Sequence, residues 1–202
     1  MEKSCYNQPM LSRNFQKLIE TDTVAAARAL LGMQLILNGQ KLGRIVETEA
    51  YLGSQDSACH SAGGRRSPKN ESMYLPAGHW YVYQIYGYQM LNLVTKAENV
   101  AEAVLIRALE LPDGRLLANG PGKLTKYAGI DKRFDGQSLA TSSLQLAHDL
   151  TPNQIASRSR IGVTCTDAWR EEHLGFYVVG NRHVSKMSKR DLLDDEATWK
   201  KE

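Results

Sequence analysis

The chain has 202 residues, of which 42% are hydrophobic and 23% are charged, an ordinary globular composition. Its formal net charge of +3 permits an anionic partner without requiring one. The sequence has three cysteines without a CxxC pair, no secretory leader and no apolar run of about 18 residues. We therefore expect a soluble, cytoplasmic protein with reduced thiols and no membrane segment.

The first predicted elements are an irregular arm, a short helix and a hairpin. Residues 1–20 carry no clear period and are predicted to form the arm. Thr21 to Thr23 offers helix caps, apolar residues follow at helical spacing, and Gly32 would end the helix. A strand, a tight turn and a return strand are predicted over residues 34–37, 38–39 and 43–51.

The rest of the chain alternates strands with loops. The predicted elements are a short helix starting near Asp56, a flexible basic loop over 63–70, a long strand region over 79–95 broken at Gly87, a strand over 103–109, a helix opened by Pro121, loop and weak helix over 131–150, and late strands over 161–166 and 176–179. The charged residues 186–202 are expected to fray. Strands in mostly antiparallel runs predict an α+β fold rather than a doubly wound sheet.

The return strand carries an unusual pattern of acids. Alternation along a strand puts Glu47, Glu49 and Tyr51 on one face, with the two carboxylates about 7 Å apart. A solvent-facing acidic strip on an edge strand would explain these residues alone. A pair of functional carboxylates is the alternative, and the rest of the sequence has to decide.

Several kinds of site lack support. The five histidines are scattered without HxH or HxxxH spacing, so we expect no metal. Cys59 and His60 are sequence neighbours that would not face each other, and there is no G-x-S-x-G motif. Neither a P-loop nor G-x-G-x-x-G is present, so no nucleotide cofactor is expected.

Tyrosines cluster around a glycine in the long strand region. Tyr81, Tyr83, Tyr86 and Tyr88 surround Gly87, which suggests a sharp turn that thrusts Tyr86 outward. Exposed rings stack on bases or wedge into a base stack, although any single tyrosine is more simply explained by packing. Together with a carboxylate and basic loops, the rings indicate an enzyme that acts on an extruded base, its carboxylate activating water and stabilising charge on a sugar carbon.

Several segments, in this order, resemble the alkyladenine (3-methyladenine) DNA glycosylase family of methylpurine-DNA glycosylase type. They are residues 47–53, Asp56, 60–61, 63–65, 81–87, 105–110, 119–124, 160–163 and 176–178. The similarity runs from about Ala29 to Val184. It implies one mixed domain over 21–185 between an arm (1–20) and a charged tail (186–202). The fold would resemble the C-terminal domain of formyltransferases, with a curved, mostly antiparallel sheet, a protruding hairpin and surrounding helices.

The resemblance also implies catalytic roles. Glu49 matches the general base that activates the hydrolytic water. Arg107 matches an arginine that helps to hold this water, and Ile161 matches a position whose backbone carbonyl does the same. If Glu47 is buried, we expect it to pair with an arginine rather than share the chemistry, and Glu49 is the expected partner of Arg107.

Binding roles follow in the same way. Tyr51, His60 and Tyr83 match walls that sandwich the flipped base, and the amides of Ala58 and His60 match groups that touch the purine edge. Tyr86 matches the intercalating tyrosine, and Asn92 matches a residue that crowds the exocyclic amine of guanine. The segment between Tyr86 and Asn92 is one residue shorter than expected, and such a change can turn a strand's side chains to the opposite face.

DNA-backbone contacts are predicted for Arg65, Arg66, Lys69 and Lys123, with a merely solvated surface as the alternative.

The implied function is that of a monomeric, monofunctional DNA glycosylase of base excision repair without metal or cofactor. Its partner would be double-stranded DNA containing damaged purines, 3-methyladenine first, with hypoxanthine and 7-methylguanine as further candidates. In a bacterium it would associate with the nucleoid. A non-catalytic binder of distorted DNA and a formyltransferase-type RNA-binding domain are the alternatives.

Overall fold

The computed structural model describes residues 11–201, and its centre is an eight-stranded sheet. The strands are β1 (Gln34–Leu37), β2 (Gln40–Tyr51), β3 (Trp80–Ile85), β4 (Tyr88–Thr95), β5 (Glu102–Glu110), β6 (Leu144–Ala147), β7 (Ile155–Arg158) and β8 (Gly175–Val178). The helices are α1 (Arg13–Thr21), α2 (Thr23–Ala29) and α3 (Pro121–Ala128). All the strand pairings are antiparallel, so the predicted α+β domain with a curved, mostly antiparallel sheet is confirmed.

The long strand β2 lies at the centre of this sheet. The strand order is β3-β4-β5-β2-β1-β6, and β8 joins β2 to β7. Glu47 and Glu49 are each only 1% exposed. A solvent-facing acidic strip on an edge strand is therefore the wrong explanation for this segment, because other strands flank β2 and its two carboxylates are buried.

Both faces of β2 are covered from Ile45 to Ala50. Val46, Thr48 and Ala50 are fully buried, and the hydroxyl of Thr48 donates to the carbonyl of Ala27 in α2 at 2.8 Å. The opposite face carries Glu47, Glu49 and Tyr51, as alternation predicts. A strand with helices on one face and a buried polar site on the other has no solvent-facing side, so its sequence departs from simple apolar–polar alternation.

The pairing of β2 with β5 is irregular at Glu47. Ile45 lies opposite Leu109 and Thr48 opposite Ile106, but Glu47 lies opposite Ala108. Such irregularities in antiparallel pairs redirect side chains and are frequent next to active sites. Here the irregularity lies beside Arg107, which belongs to the same stretch of β5.

The main core packs the sheet against α1 and α2. Its largest fully buried side chains include Trp80, Leu30, Leu35, Leu93 and Ile106. A second, smaller cluster contains Cys59, Met73, Tyr74, Tyr81, Val94, Ala101 and Ala103. Tyr51 and Tyr83 pack against this second cluster, which therefore supports the aromatic part of the candidate site.

Two terminal predictions are wrong. Residues 13–20 belong to α1, whose N-terminal amides are capped by Ser12 and whose Phe15 and Ile19 enter the core. Near the other end, Trp199 is 6% exposed and bridges to Pro152, so this part of the tail does not fray. The periodicity of these segments is too short to reveal either docking. Residues 1–10 and 202 lie outside the described part, and the division into arm, domain and tail stays a prediction.

Three internal predictions are also wrong. The expected helix near Asp56 is replaced by turns, because the Asp56 carboxylate accepts the amides of Leu52 and Ala58 and so competes with helical bonding. Residues 161–166 are not a strand, since Gly162 has φ of +80°. Strand β6 lies inside the predicted loop over 131–150, where Leu144 and Leu146 alternate into the core.

Several other predicted elements are confirmed. The predicted helix after Thr23, the first hairpin and the helix opened by Pro121 are all present. The hairpin turn has positive φ at Asn38 and Gly39, as a type I′ turn requires. Among residues 11–201, no helix is long and apolar enough to cross a membrane.

Candidate active site

One row of side chains crosses four strands on the same face of the sheet. Glu49 of β2 lies opposite Leu105 of β5, Leu105 opposite Asn92 of β4, and Asn92 opposite Tyr81 of β3. Neighbouring strands are about 4.8 Å apart, so Glu49 and Asn92 lie roughly 10 Å from each other. The sheet thus brings the predicted base and the predicted specificity residue to one site.

Glu49 accepts three donors among the described residues. Its Oε1 accepts the amide of Ile161 at 2.7 Å and pairs with Nη1 of Arg107 at 3.1 Å. Its Oε2 accepts the hydroxyl of Tyr51 at 2.9 Å. A carboxylate offers about four acceptor sites, so room remains for one further donor such as water. The contact from Ile161 comes from its amide; the predicted role of its carbonyl stays a prediction.

Glu47 is bound more completely. It accepts Nε of Arg107 at 3.1 Å, the guanidinium of Arg158, and both the amide and the hydroxyl of Ser185 at 2.9 Å. These four donors match the roughly four acceptor sites of a carboxylate. The predicted pairing of a buried Glu47 with an arginine is confirmed.

Arg107 bridges the two carboxylates. Burial alone would lower the pKa of its guanidinium, but attraction to Glu49 and Glu47 raises that pKa overall. The arginine therefore stays charged beside both acids. The predicted partnership of Arg107 with Glu49 is confirmed.

A cavity of about 250 Å³ opens beside Tyr51, whose hydroxyl donates to Glu49; Glu49 itself is not among the residues that line it. It is lined by Tyr51, Ser57, Ala58, Cys59, His60, Arg65, Met73, Tyr81, Tyr83, Ile85, Tyr86, Asn92 and residues 162–164. Pockets for drug-sized ligands span roughly 300–1,000 Å³, so this volume suits a smaller guest such as one nucleobase. All the residues predicted to bind the base line this one cavity.

The rings of the cavity are held in contact with one another. His60 and Tyr83 meet edge to face with their centroids 4.3 Å apart, and Nδ1 of His60 lies 2.8 Å from the hydroxyl of Tyr81. Burial is the main cause, and the charge of Glu49 the second, of raised pKa values at two tyrosines. The pKa of Tyr83 rises to about 12, and the pKa of Tyr51 rises well above its usual value. Burial, and then Arg65, lowers the pKa of His60. At neutral pH the cavity thus presents uncharged rings.

Asn92 lines the cavity. The β3–β4 ladder runs without a bulge from the Ile85–Tyr88 pair to the Trp80–Leu93 pair, and the shortening expected between Tyr86 and Asn92 stays a prediction. The amide nitrogen of Asn92 donates to the carbonyl of Tyr81 at 3.0 Å.

The amide of Ala58 has a partner within the chain. It donates to Asp56 Oδ1 at 3.0 Å, while Ala58 itself lines the cavity. Its predicted contact with a purine edge, like that of the His60 amide, stays a prediction.

Tyr86 projects from the tip of the β3–β4 hairpin. It is 90% exposed and has φ of +49°, and Gly87 follows with φ of +81°. Positive φ at both central residues defines a type I′ turn, which glycine favours at the second of these positions. The expected outward projection of Tyr86 is confirmed, and exposed Ile85 and Tyr88 flank it.

Basic residues lie around this hairpin. A second cavity, of about 780 Å³, is lined by Arg65, Arg66, Lys69, Gln84, Ile85 and Lys132 among others. Arg66 already pairs with Glu71 at 2.6 Å, which leaves its guanidinium less free for a phosphate. Lys123 is exposed at the start of α3, where it donates to Asn119 at 3.0 Å. Lys132 had no predicted role.

Sequence analysis assigned no role to the ion pair behind Tyr51. Arg160 forms two bonds to Asp56, at 2.5 and 2.9 Å, and its guanidinium lies 4.7 Å from the Tyr51 ring centroid. Ser185 and Arg158, which bind Glu47, were missed as well. Because these partners lie more than 100 residues from the groups they bind, no local pattern links them.

Within residues 11–201, no group of three His, Cys, Asp or Glu side chains could hold a metal ion.

Comparison of the sequence with known families identifies the family of this chain. The chain belongs to the methylpurine-DNA glycosylase family, whose profile matches residues 17–182. It is accordingly a DNA repair enzyme, a hydrolase that acts on the N-glycosidic bond of DNA. The resemblance predicted from the motifs is confirmed.

Similar bacterial proteins cover nearly the whole chain. One from Staphylococcus saprophyticus is 37% identical over 199 residues, covering 90% of this chain and 98% of its own. One from Lactiplantibacillus plantarum is 38% identical, covering 88% and 93%. One from Legionella pneumophila is 41% identical, covering 83% and 94%. All three carry the provisional name of 3-methyladenine DNA glycosylase.

Proposed function

We propose that this enzyme removes alkylated or deaminated purines from duplex DNA, with 3-methyladenine as its first substrate and hypoxanthine and 7-methylguanine as further ones. Glu49 acts as the general base that deprotonates a water, and that water attacks the anomeric carbon. The products are the free base and an abasic site, which places the reaction at the start of base excision repair.

One observation carries this mechanism. Glu49 contacts Tyr51 and the turn at Ile161–Gly162, and Tyr51 and Gly162 both line the cavity. Its three donors leave an acceptor site for water, whereas Glu47 is surrounded by four donors. In this proposal Arg107 holds the water together with the backbone at Ile161. A buried carboxylate next to the sugar also stabilises the positive charge that develops there.

The walls of the cavity suit a positively charged guest. Alkylation makes a purine cationic, and electron-rich rings attract a cation stacked on their faces. Tyr51, His60 and Tyr83 supply such rings, and the lowered pKa of His60 keeps it neutral at pH 7. Asn92, which lines the cavity, crowds the exocyclic amine of guanine in this proposal and so favours adenine-derived lesions.

DNA binding is assigned to the hairpin and its basic surroundings. Tyr86 fills the gap that the flipped nucleotide leaves in the stack. Arg65, Arg66, Lys69 and Lys123 contact phosphates, which makes binding weaker as salt rises. The protein acts as a monomer on DNA, in a bacterium at the nucleoid, through a domain over 21–185. Its relation to the formyltransferase C-terminal domain stays a prediction.

Base release from methylated duplex DNA tests this proposal. The wild type is incubated with the duplex, free purines are identified by chromatography, and abasic sites are counted in the DNA. We expect 3-methyladenine to be released together with an equal number of abasic sites and without strand cleavage, because no lysine is among the described residues that line the cavity. Strand cleavage coupled to base release would contradict the monofunctional mechanism.

The competing proposal is a non-catalytic binder of distorted DNA, which the exposed Tyr86 would also serve. Binding to a duplex with an abasic analogue separates the two. Tight binding without any base release would favour the binder, whereas release that stops in Glu49→Gln while binding persists supports the enzyme.

A further inference from the structure

The ion pair between Asp56 and Arg160 is unusual in its burial. Both side chains are completely buried, and Arg160 also donates to the carbonyls of Ala50 and Trp169 at 3.1 and 3.2 Å. Burying two charges is costly, and a well-packed apolar pair of similar volume often stabilises a protein as well or better. Asp56 also accepts the amides of Leu52 and Ala58, so it shapes this turn, and the place of the pair beside the cavity allows its charges a further role.

The position of the pair relative to Tyr51 gives it a second role. The Arg160 guanidinium lies over the Tyr51 ring, 4.7 Å from its centroid. Tyr51 lines the base cavity and Arg160 does not, so the ring stands between the arginine and the guest. A base stacked on the free face of the ring would lie roughly 9 Å from the guanidinium, given stacking distances of about 4.5 Å.

An arginine behind the ring would by itself disfavour a cationic guest. Its charge draws on the same ring electrons that attract a cation on the other face, and it repels that cation directly. Asp56 removes this penalty, because its carboxylate binds the guanidinium through two bonds and neutralises it. The ring keeps its planar support from Arg160 while the far face remains attractive to positive charge.

We propose that the Asp56–Arg160 pair sets the preference of the cavity for positively charged over neutral purines, with Arg160 supporting Tyr51 and Asp56 cancelling the arginine's charge. This inference rests on the proposed function, since it concerns the bases that the cavity takes. Asp56 and Arg160 are positioning residues here, because neither is among the residues that line the cavity.

Two opposite charge changes test the proposal. Duplexes carry either 7-methylguanine, which is cationic, or hypoxanthine, which is neutral, and single-turnover release is measured for each. Asp56→Asn leaves the arginine unneutralised, and we expect the cationic-to-neutral rate ratio to fall about tenfold, as two charges about 9 Å apart at an effective dielectric constant of about 20 allow. Arg160→Gln leaves the Asp56 carboxylate without its positive partner, and the cationic-to-neutral rate ratio should rise. The double variant should return the ratio to within about threefold of the wild type.

The ratio separates an electrostatic role from a structural one. Partial unfolding or a displaced Tyr51 ring lowers release of both bases in both variants, without opposite shifts of the ratio. Ratios that shift in the same direction in both single variants, or that do not shift, overturn the proposal. If one single variant does not fold, the direction of the shift in the other single variant decides, with Arg160→Lys, which keeps the charge and the wild-type ratio, as its control.

Binding of the same duplexes in a Glu49→Gln background distinguishes this proposal from the proposed function. If the wild type binds both lesions but releases neither, the glycosylase mechanism fails, and the binding ratios of the charge variants still test the inference. If neither lesion is released by the wild type nor bound better than undamaged duplex, both proposals fail. Normal release with an unchanged ratio in every variant overturns this inference alone.

Discussion

At the scale of single residues, the two buried glutamates differ in their partners. Local sequence predicted that Glu47 and Glu49 share a face of β2, but not which donors reach them. Arg158 and Ser185 come from distant parts of the chain and surround Glu47, while the turn at Ile161 reaches Glu49. The assignment of Glu49 as base came from the family resemblance, and these contacts give it a physical reason.

Replacing Glu47 should mainly cost stability. Glu47→Gln breaks a buried carboxylate's bonds to Arg107, Arg158 and Ser185, and we expect the free energy of unfolding to fall by about 3 kcal/mol. Urea denaturation measures this change. Glu71→Gln is the matched control, since its pair with Arg66 is exposed and should contribute nothing measurable. A loss for Glu47→Gln no larger than for the control would contradict the buried network.

His60 and His183 should make the fold sensitive to acid. Burial lowers the pKa of His183, and partial desolvation in the cavity lowers the pKa of the more exposed His60, aided by Arg182 and Arg65 respectively. The unfolded chain therefore binds more protons between those lowered values and the ordinary value of 6.5. Stability should be fully present above pH 6.5 and fall as the pH decreases below it. Urea denaturation across this range checks the sign. The double variant His60→Gln/His183→Gln should show a flatter profile, and an unchanged slope would contradict the assignment.

At the scale of elements, the β3–β4 hairpin was predictable because its signal is local. Gly87 behind a bulky ring indicated a sharp turn, and the turn has positive φ at both central residues. The strand predicted over 161–166 failed for a nonlocal reason, since Ile161 donates its amide to Glu49 instead of a ladder partner. Sequence reveals turns formed by adjacent residues better than segments held by side chains from elsewhere.

The hairpin tip should matter for DNA and not for folding. Tyr86→Ala removes a side chain that is 90% exposed, so the melting temperature should stay unchanged. Single-turnover release from duplex DNA should fall by about tenfold or more, because unstacking a base step costs a few kcal/mol and the ring no longer offsets it. Tyr127→Ala, at an exposed tyrosine of α3, is the control and should keep full activity. Equal activity of the two variants would refute the wedge role of Tyr86.

At the scale of the whole molecule, both ends of the described chain pack onto the same core. The composition of residues 186–202 suggested fraying, yet Trp199 donates to Glu110 at 3.1 Å and its ring lies under the guanidinium of Arg44 at 4.7 Å. A single aromatic residue in a charged segment gives no periodic signal. Its docking site is formed by β2 and β5, far away in sequence.

Loss of this contact should destabilise the protein globally. Trp199→Ala should lower the free energy of unfolding by about 3 kcal/mol, since a large ring is removed from a site that is 6% exposed. Thermal and urea denaturation measure the loss. Trp169→Ala, at a half-buried position, should cost clearly less. If the two variants lose the same free energy of unfolding, the structure's indication that the tail contributes to the core is contradicted.

The central claim is that Glu49, and not its neighbour Glu47, activates the water. The most direct test is single-turnover release of 3-methyladenine by Glu49→Gln and Glu47→Gln, both at saturating enzyme and with duplex binding measured in parallel. We expect Glu49→Gln to bind normally but to lose at least about a hundredfold in rate, as removal of a general base does, and Glu47→Gln to lose about tenfold or less. Release by Glu49→Gln within tenfold of the wild type, or a larger loss in Glu47→Gln, would contradict the account.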